Sequence, residues 1–296
     1  MAAAASSAMM RVAITAMLAA AVVASPGAQR PTFKAAVEVV RIDASVRNGR
    51  SAVGGLTRNH FAITDNGVPQ TIDSVTLDRV PLNLLLVLDT SESLLGAPFT
   101  ALIAATRQLV GNLRPDEAAT LVTFSDQVRL AVPTTHDRAP VLAALGGLSA
   151  AGATSINDAI VLSLLHRPPV TPDTRPVMLV FSDGRDTASW LRSAQTQAAV
   201  RRSGMLVHVV ELRTEAGATN FAREVAKAGG GRAWSATSAG ALRELFGQVL
   251  DELRARYLIT YYPSGVSREG WHEVKVTLKN THGDVTARPG YFASPQ

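Results

Sequence analysis

Residues 85–93 read LLVLDTSES, a run of leucine and valine that stops abruptly at Asp89, Ser91, Glu92 and Ser93. An apolar run without polar alternation fits a strand buried on both faces, and the oxygens then stand at its carboxyl end. The surrounding chain repeats this texture. Leu84 to Leu88, Leu121 to Phe124, Val177 to Phe181 and Met205 to Val210 are short apolar runs of the same kind. Between them the patterning predicts helices over about Pro98 to Asn112, Ser155 to His166, Thr187 to Arg202 and Asn220 to Ala228, the last stopped by Gly229-Gly230-Gly231. A further helix from Ser238 to about Arg254 sets Leu242, Leu245, Phe246, Val249, Leu250 and Leu253 on one stripe behind a serine N-cap. Strand and helix alternating over residues 82–250 predict an α/β fold with a doubly wound, mostly parallel sheet.

The flanks have a different texture. Over residues 32–80, Ile42, Ala44 and Val46 alternate with Asp43, Ser45 and Arg47 before Asn48-Gly49; Phe61 to Thr64 runs into Asp65-Asn66-Gly67; Ile72, Val75 and Leu77 follow. Over residues 251–296, Tyr257 to Tyr262 is aromatic and branched, and Val274, Val276 and Leu278 alternate with Glu273, Lys275, Thr277 and Lys279. His282-Gly283-Asp284 turns the chain before Val285. Neither flank is long enough to bury a core of its own, so the two are expected to pair into a small all-β domain in which the α/β domain is inserted.

Composition bounds the function. The chain has 296 residues with 47% hydrophobic content, enough for a large core. The net charge is +5, but lysine and arginine are scattered singly, with Arg201-Arg202 the longest basic cluster, which argues against nucleic acid. There is no cysteine, so disulfides, thiolate metal sites and a cysteine nucleophile are excluded. At the start, Arg11 precedes the apolar run Val12 to Ala24 and Ser25-Pro26, the pattern of a signal peptide over residues 1–28 and hence of a secreted or periplasmic protein; an uncleaved N-terminal anchor is the alternative. That run is shorter than a bilayer-spanning helix, and no later segment is long and apolar enough to be one.

In a doubly wound sheet ligands bind at the carboxyl ends of the strands, where Asp89, Ser91 and Ser93 stand. Gly152-Ala153-Thr154-Ser155 and Ser182-Asp183-Gly184 occupy equivalent places, so three loops could converge. Hydroxyls and carboxylates without histidine or cysteine are hard ligands, suited to Mg²⁺ or Mn²⁺, with Ca²⁺ the weaker fit, and unsuited to Zn²⁺ or copper. Asp89-x-Ser91-x-Ser93, then Thr154, then Asp183 resembles the metal-ion-dependent adhesion site of von Willebrand factor type A domains, over residues 82 to about 250. The resemblance implies that Ser91 and Ser93 ligate the metal directly, Thr154 directly or through water, and Asp89 and Asp183 largely through water. It also implies that a partner protein's Glu or Asp completes the shell. The flanking motifs Leu56-Thr57-x-x-x-Phe61, Asp65-Asn66-Gly67-x-Pro69-Gln70, Tyr261-Tyr262-Pro263 and Arg288-Pro289-Gly290-Tyr291 resemble those of the von Willebrand factor A-related secreted proteins of acidobacteria.

Taken singly, Ser155 or Ser93 reads as a helix cap; the set over three loops reads as a metal site. Asp158 and Asp186 read as supporting or capping carboxylates, and Glu92 as solvent-facing. Arg185 and Trp190, just past Asp183, are the first candidates for partner contacts, although Trp190, Trp234 and Trp271 each read first as core anchors. Catalysis is disfavoured. Ser91 stands where a haloacid-dehalogenase-like phosphatase has its second Asp, no Gly-x-Ser-x-Gly is present, and His272-Glu273 lacks a following histidine at Val276. The alternatives to a metal-dependent binding protein are a structural or envelope-assembly protein with a stabilising metal and a metal-dependent hydrolase.

Overall fold

The computed structural model describes residues 39–49, 51–78, 80–168, 174–213 and 219–293. The export segment expected over residues 1–28 lies outside them. The first strands are β1 (Val40–Asn48), β2 (Ser51–Ala52), β3 (Phe61–Asp65), β4 (Val68–Gln70) and β5 (Ile72–Asp78). The α/β body follows with β6 (Leu82–Asp89), α1 (Ala97–Gly111), β7 (Ala118–Phe124), β8 (Val128–Thr135), α2 (Arg138–Gly146), α3 (Ile156–Ser163), β9 (Arg175–Ser182), α4 (Ser193–Ser203), β10 (Leu206–Leu212), α5 (Asn220–Ala228), β11 (Ala233–Ala236) and α6 (Ala239–Arg254). The chain ends in β12 (Arg256–Tyr261), β13 (Gly270–Leu278), β14 (Asp284–Ala287) and β15 (Gly290–Ala293).

The central sheet has the order β11-β10-β9-β6-β7-β8, parallel except for β8, which pairs antiparallel with β7. Every residue of β6 is buried. Because successive side chains point to opposite faces, Leu82, Leu84, Leu86 and Leu88 join the core that holds residues of α1, α2 and α6, while Leu85 and Val87 join the core shared with α3, α4 and α5. This double burial is why the run carries no polar alternation.

Three elements of the α/β body have no counterpart in the sequence reading. Strand β8 is an edge strand with most of its side chains exposed, so it presents no apolar run. Helix α2 buries only Val141 and Leu145, and starts where the Asp137 carboxylate accepts from the Ala139 N–H. Strand β11 has only Ala236 fully buried. The helix expected over Thr187 to Arg202 begins at Ser193 instead. Residues before it are held as a loop because their N–H groups donate to other partners, Thr187 and Ala188 to the Thr154 carbonyl and Trp190 and Leu191 to the Asp158 carboxylate.

The two flanks interleave. A sheet of order β14-β1-β12-β5 draws strands from both ends of the chain, with β2 appended to β1, and a second has the order β15-β13-β3-β4. Ile42, Ala44 and Val46 of β1 and Tyr257, Ile259 and Tyr261 of β12 pack with Phe61, Ile63 and Val274 into a third core. Within it Asp65 is fully buried, accepting from the hydroxyls of Tyr261 and Tyr291 at 2.9 Å each and facing His272 Nδ1 at 2.7 Å. Three of the four flanking motifs noted in the sequence, those of Asp65, Tyr261 and Tyr291, thus meet around one carboxylate. The other face of this frame meets the α/β body through arginines. Arg175 donates to the Asp43 carboxylate at 2.7 Å and to the Leu253 carbonyl, and fully buried Arg256 donates to the carbonyls of Asp43, Gly230 and Thr286.

Candidate metal centre

Asp89 ends β6 with its carboxylate wholly buried. One oxygen accepts from the Ser91 N–H at 2.8 Å and the other from the Ser182 hydroxyl at 2.6 Å. Ser182 is the last residue of the neighbouring strand β9, so the parallel register itself brings the two strand ends together. Ser91 is buried with its Oγ 2.9 Å from Ser93 Oγ; Ser91 precedes and Ser93 lies in the short helical turn before α1. Asp183 follows Ser182, is partly exposed, and accepts from the Arg185 N–H at 3.0 Å.

Thr154 arrives on the third loop and is almost fully buried. That loop is tied to the first by Glu92 N–H to the Gly152 carbonyl at 2.9 Å and Ala151 N–H to the Thr90 carbonyl at 2.8 Å. Gly152 has φ +82, a left-handed backbone that favours glycine, where the loop passes the Asp126 carboxylate in the turn after β7. Gly184 has φ +79 and backs onto the Glu211 carboxylate, leaving no space for a side chain. The Glu211 carboxylate itself caps Thr219, whose hydroxyl in turn caps α5. Ser155 is placed as the N-cap of α3 but donates its hydroxyl to the Ser125 carbonyl; Ser189 Oγ from the 187–192 loop accepts the N–H groups of Asn157 and Asp158 instead.

Burial pushes the Asp89 carboxyl above its ordinary range, the bonds from Ser182 and Ser91 offset part of the rise, and the charge of Asp183 adds to it. None of the ion pairs among the described residues reaches Asp89 or Asp183. A buried carboxylate beside a second one, neither of them ion-paired, is a place short of positive charge. The oxygens around it are hydroxyls, and among the described residues no three His, Cys, Asp or Glu side chains cluster as a metal site. This donor chemistry fits a hard dication and not a thiolate or imidazole metal.

Residues 84–185 match the family model of the von Willebrand factor type A domain. The chain carries a von Willebrand factor type A domain. Inter-alpha-trypsin inhibitor heavy chain H2 of Mus musculus is 26% identical over 138 residues, 43% of this chain and 15% of that protein. An uncharacterized protein of Synechocystis sp. is 27% identical over 110 residues, 36% of this chain and 26% of that one. The chain therefore spans a minor part of these relatives' length. Among solved structures, the von Willebrand factor type A protein from Catenulispora acidiphila covers 84% of this chain and 75% of its own at a TM-score of 0.51 and 14% identity. The proximal thread matrix protein 1 from the mussel byssus, described with a zinc-occupied metal-ion-dependent adhesion site, covers 64% of this chain and 49% of its own at 0.52 and 15%. These two likenesses show the shared fold.

Within this type A domain the remaining candidates separate. Arg185 is exposed on the loop after Asp183. Trp190 is no core anchor: it is 93% exposed, whereas Trp234 stacks on His208 and Trp271 tilts against Phe292. Asp158 accepts from the N–H groups of Trp190 and Leu191, and Asp186 bonds Asn157 and Ser189, so both are supports of the loop. Sequence reasoning did not single out Ser182 or Ser189. Ser182 was visible inside Ser182-Asp183-Gly184, but its hydroxyl gains a role only when β9 lies beside β6.

Proposed function

We propose that the type A domain is a metal-dependent protein-binding module in which Ser91, Ser93, Thr154, Asp89 and Asp183 hold Mg²⁺ or Mn²⁺. The ion would supply a Lewis-acidic position at which a Glu or Asp of a partner protein completes the coordination. Asp89 is held by Ser91 and Ser182 so that its charge stays fixed beneath the site, and the neutral hydroxyls leave positive charge uncancelled for the incoming carboxylate. Arg185, exposed beside Asp183, adds attraction for an acidic partner. The observation that carries this reading is Asp89, a fully buried carboxylate near a second carboxylate, with no ion pair to either among the described residues. Carboxylates and hydroxyls without a histidine favour binding over turnover.

Calorimetric titration of the metal-stripped full chain with Mg²⁺, Mn²⁺, Ca²⁺ and Zn²⁺ tests the reading. Saturable binding of Mg²⁺ or Mn²⁺ that an Asp89→Ala, Asp183→Ala double variant lacks is expected; equal heats in both proteins would remove the site. The pattern of Arg11 with Val12 to Ala24 supports a secreted or periplasmic location, checked by recovering a C-terminally tagged chain from the periplasmic extract or medium.

A further inference from the structure

Trp190, 93% exposed, is the most exposed large apolar side chain among the described residues, and Leu95, two residues after Ser93, is 64% exposed. A lone apolar side chain on a surface is ordinary. The construction behind Trp190 is not. Its N–H and that of Leu191 donate to the two oxygens of Asp158 at 2.9 Å each. Ser189 Oγ accepts from Asn157 N–H at 3.0 Å and Asp158 N–H at 3.3 Å, and Asp186 bridges Ser189 N–H and the Asn157 amide. Thr187 and Ala188 donate to the carbonyl of Thr154, and Thr154 N–H donates back to Thr187 Oγ1. The backbone presenting the indole is therefore one body with the proposed metal-binding residue Thr154 and with the start of α3.

Leu95 and Trp190 stand on segments attached to helices of opposite faces of the sheet. Leu95 leads into α1, which packs on one face of the sheet; the Trp190 loop is fastened to α3, which packs on the other. Asp89 ends the strand β6 that both faces share, and Ser91 and Ser93 follow it. An aromatic ring held in water on a fixed backbone loses little freedom on binding, and such residues dominate interface energies.

We propose that Trp190 and Leu95 are the apolar walls of the docking surface, which fits a protein segment carrying one Asp or Glu flanked by bulky apolar side chains. The inference rests on the metal-dependent reading above and adds the character of the partner. The carboxylate would meet the centre while its neighbours cover the indole on one side and the leucine on the other.

The probe is a library of randomised linear peptides displayed on phage, panned on the Mn²⁺-loaded full chain and eluted with chelator. Enriched sequences should hold an acidic residue beside aromatic or long aliphatic ones, and their synthetic peptides should bind Trp190→Ser and Leu95→Ser at least about tenfold more weakly. Both changes lie on the surface, so the melting temperature and the metal titration should stay as in the unsubstituted chain. Acidic peptides without apolar neighbours, or affinities unchanged in both variants, would overturn this inference and leave metal-dependent binding standing. No chelator-sensitive enrichment at all would overturn both.

Discussion

Asp65 shows how much a single residue can organise. Buried in the frame, it is the common acceptor for two tyrosine hydroxyls and faces a histidine nitrogen. Replacing it by alanine leaves those groups without an acceptor, and Asp65→Ala is expected to cost about 3–5 kcal/mol, read from the urea midpoint. Burial, and then hydrogen bonding to Asp65, raise the pKa values of Tyr261 and Tyr291 above the ordinary tyrosine value of 10.0. The unfolded chain gives up these protons first, so their stabilisation is complete below about pH 10 and is lost as pH rises beyond it. Urea midpoints between about pH 9 and 11 should fall more steeply for the unsubstituted chain than for Tyr261→Phe.

Among the elements, α6 is held at its end by a contact that spans the body. Arg254 donates to both oxygens of Glu117, at 3.0 and 2.6 Å, and to the Asn112 carbonyl just past α1. Burial alone would raise the Glu117 carboxyl, but the bonds from Arg254 and the Arg114 N–H outweigh it and hold the group below its usual value of 4.5. The contact therefore stabilises above about pH 4.5 and is lost as pH falls below it, the unfolded chain taking up the proton first. Glu117→Gln is expected to lose about 1–2 kcal/mol at pH 7 and to flatten the acid limb of the stability profile. The element that departs from its pattern is the 187–192 loop. Its residues suit a helix, yet side chains of α3 and the carbonyl of Thr154 take its N–H groups, and no local propensity reports that competition.

For the molecule as a whole, the junction of body and frame is polar. Arg175, Arg256 and Arg47 reach across it to Asp43, to backbone carbonyls and to Glu252. Burial lowers the Arg256 guanidinium to about 10, with Asp43 opposing the fall and Arg175 adding to it. Helix α6 passes into β12 through Ala255 alone, so the two parts are also joined covalently with no slack. Scanning calorimetry of the unsubstituted chain should show a single transition. An Arg175→Met, Arg256→Met variant leaves the carbonyls of Leu253, Gly230 and Thr286 without these donors, and should split the unfolding into two transitions, body and frame. One transition at the original temperature would show that the linker and apolar contacts suffice for coupling.

Strands β6, β7, β9 and β10 were legible because burial on both faces demands an uninterrupted apolar run whatever lies against it. Helix α6 was legible because its stripe repeats at the helical period. Asp89, Ser91, Ser93 and Asp183 were legible as loops at strand ends, since strand polarity places those ends on one edge, whereas Thr154 lies on the loop between α2 and α3 and is tied to that edge by backbone bonds. Strand β8 and helix α2 were not, because elements that bury little leave little pattern. The bond from Ser182 to Asp89, the meeting of Asp65 with Tyr261, Tyr291 and His272, and the outward indole of Trp190 were decided by tertiary structure alone. Each depends on which distant residue arrives beside it, and that is set by sheet register and by competition for backbone hydrogen bonds.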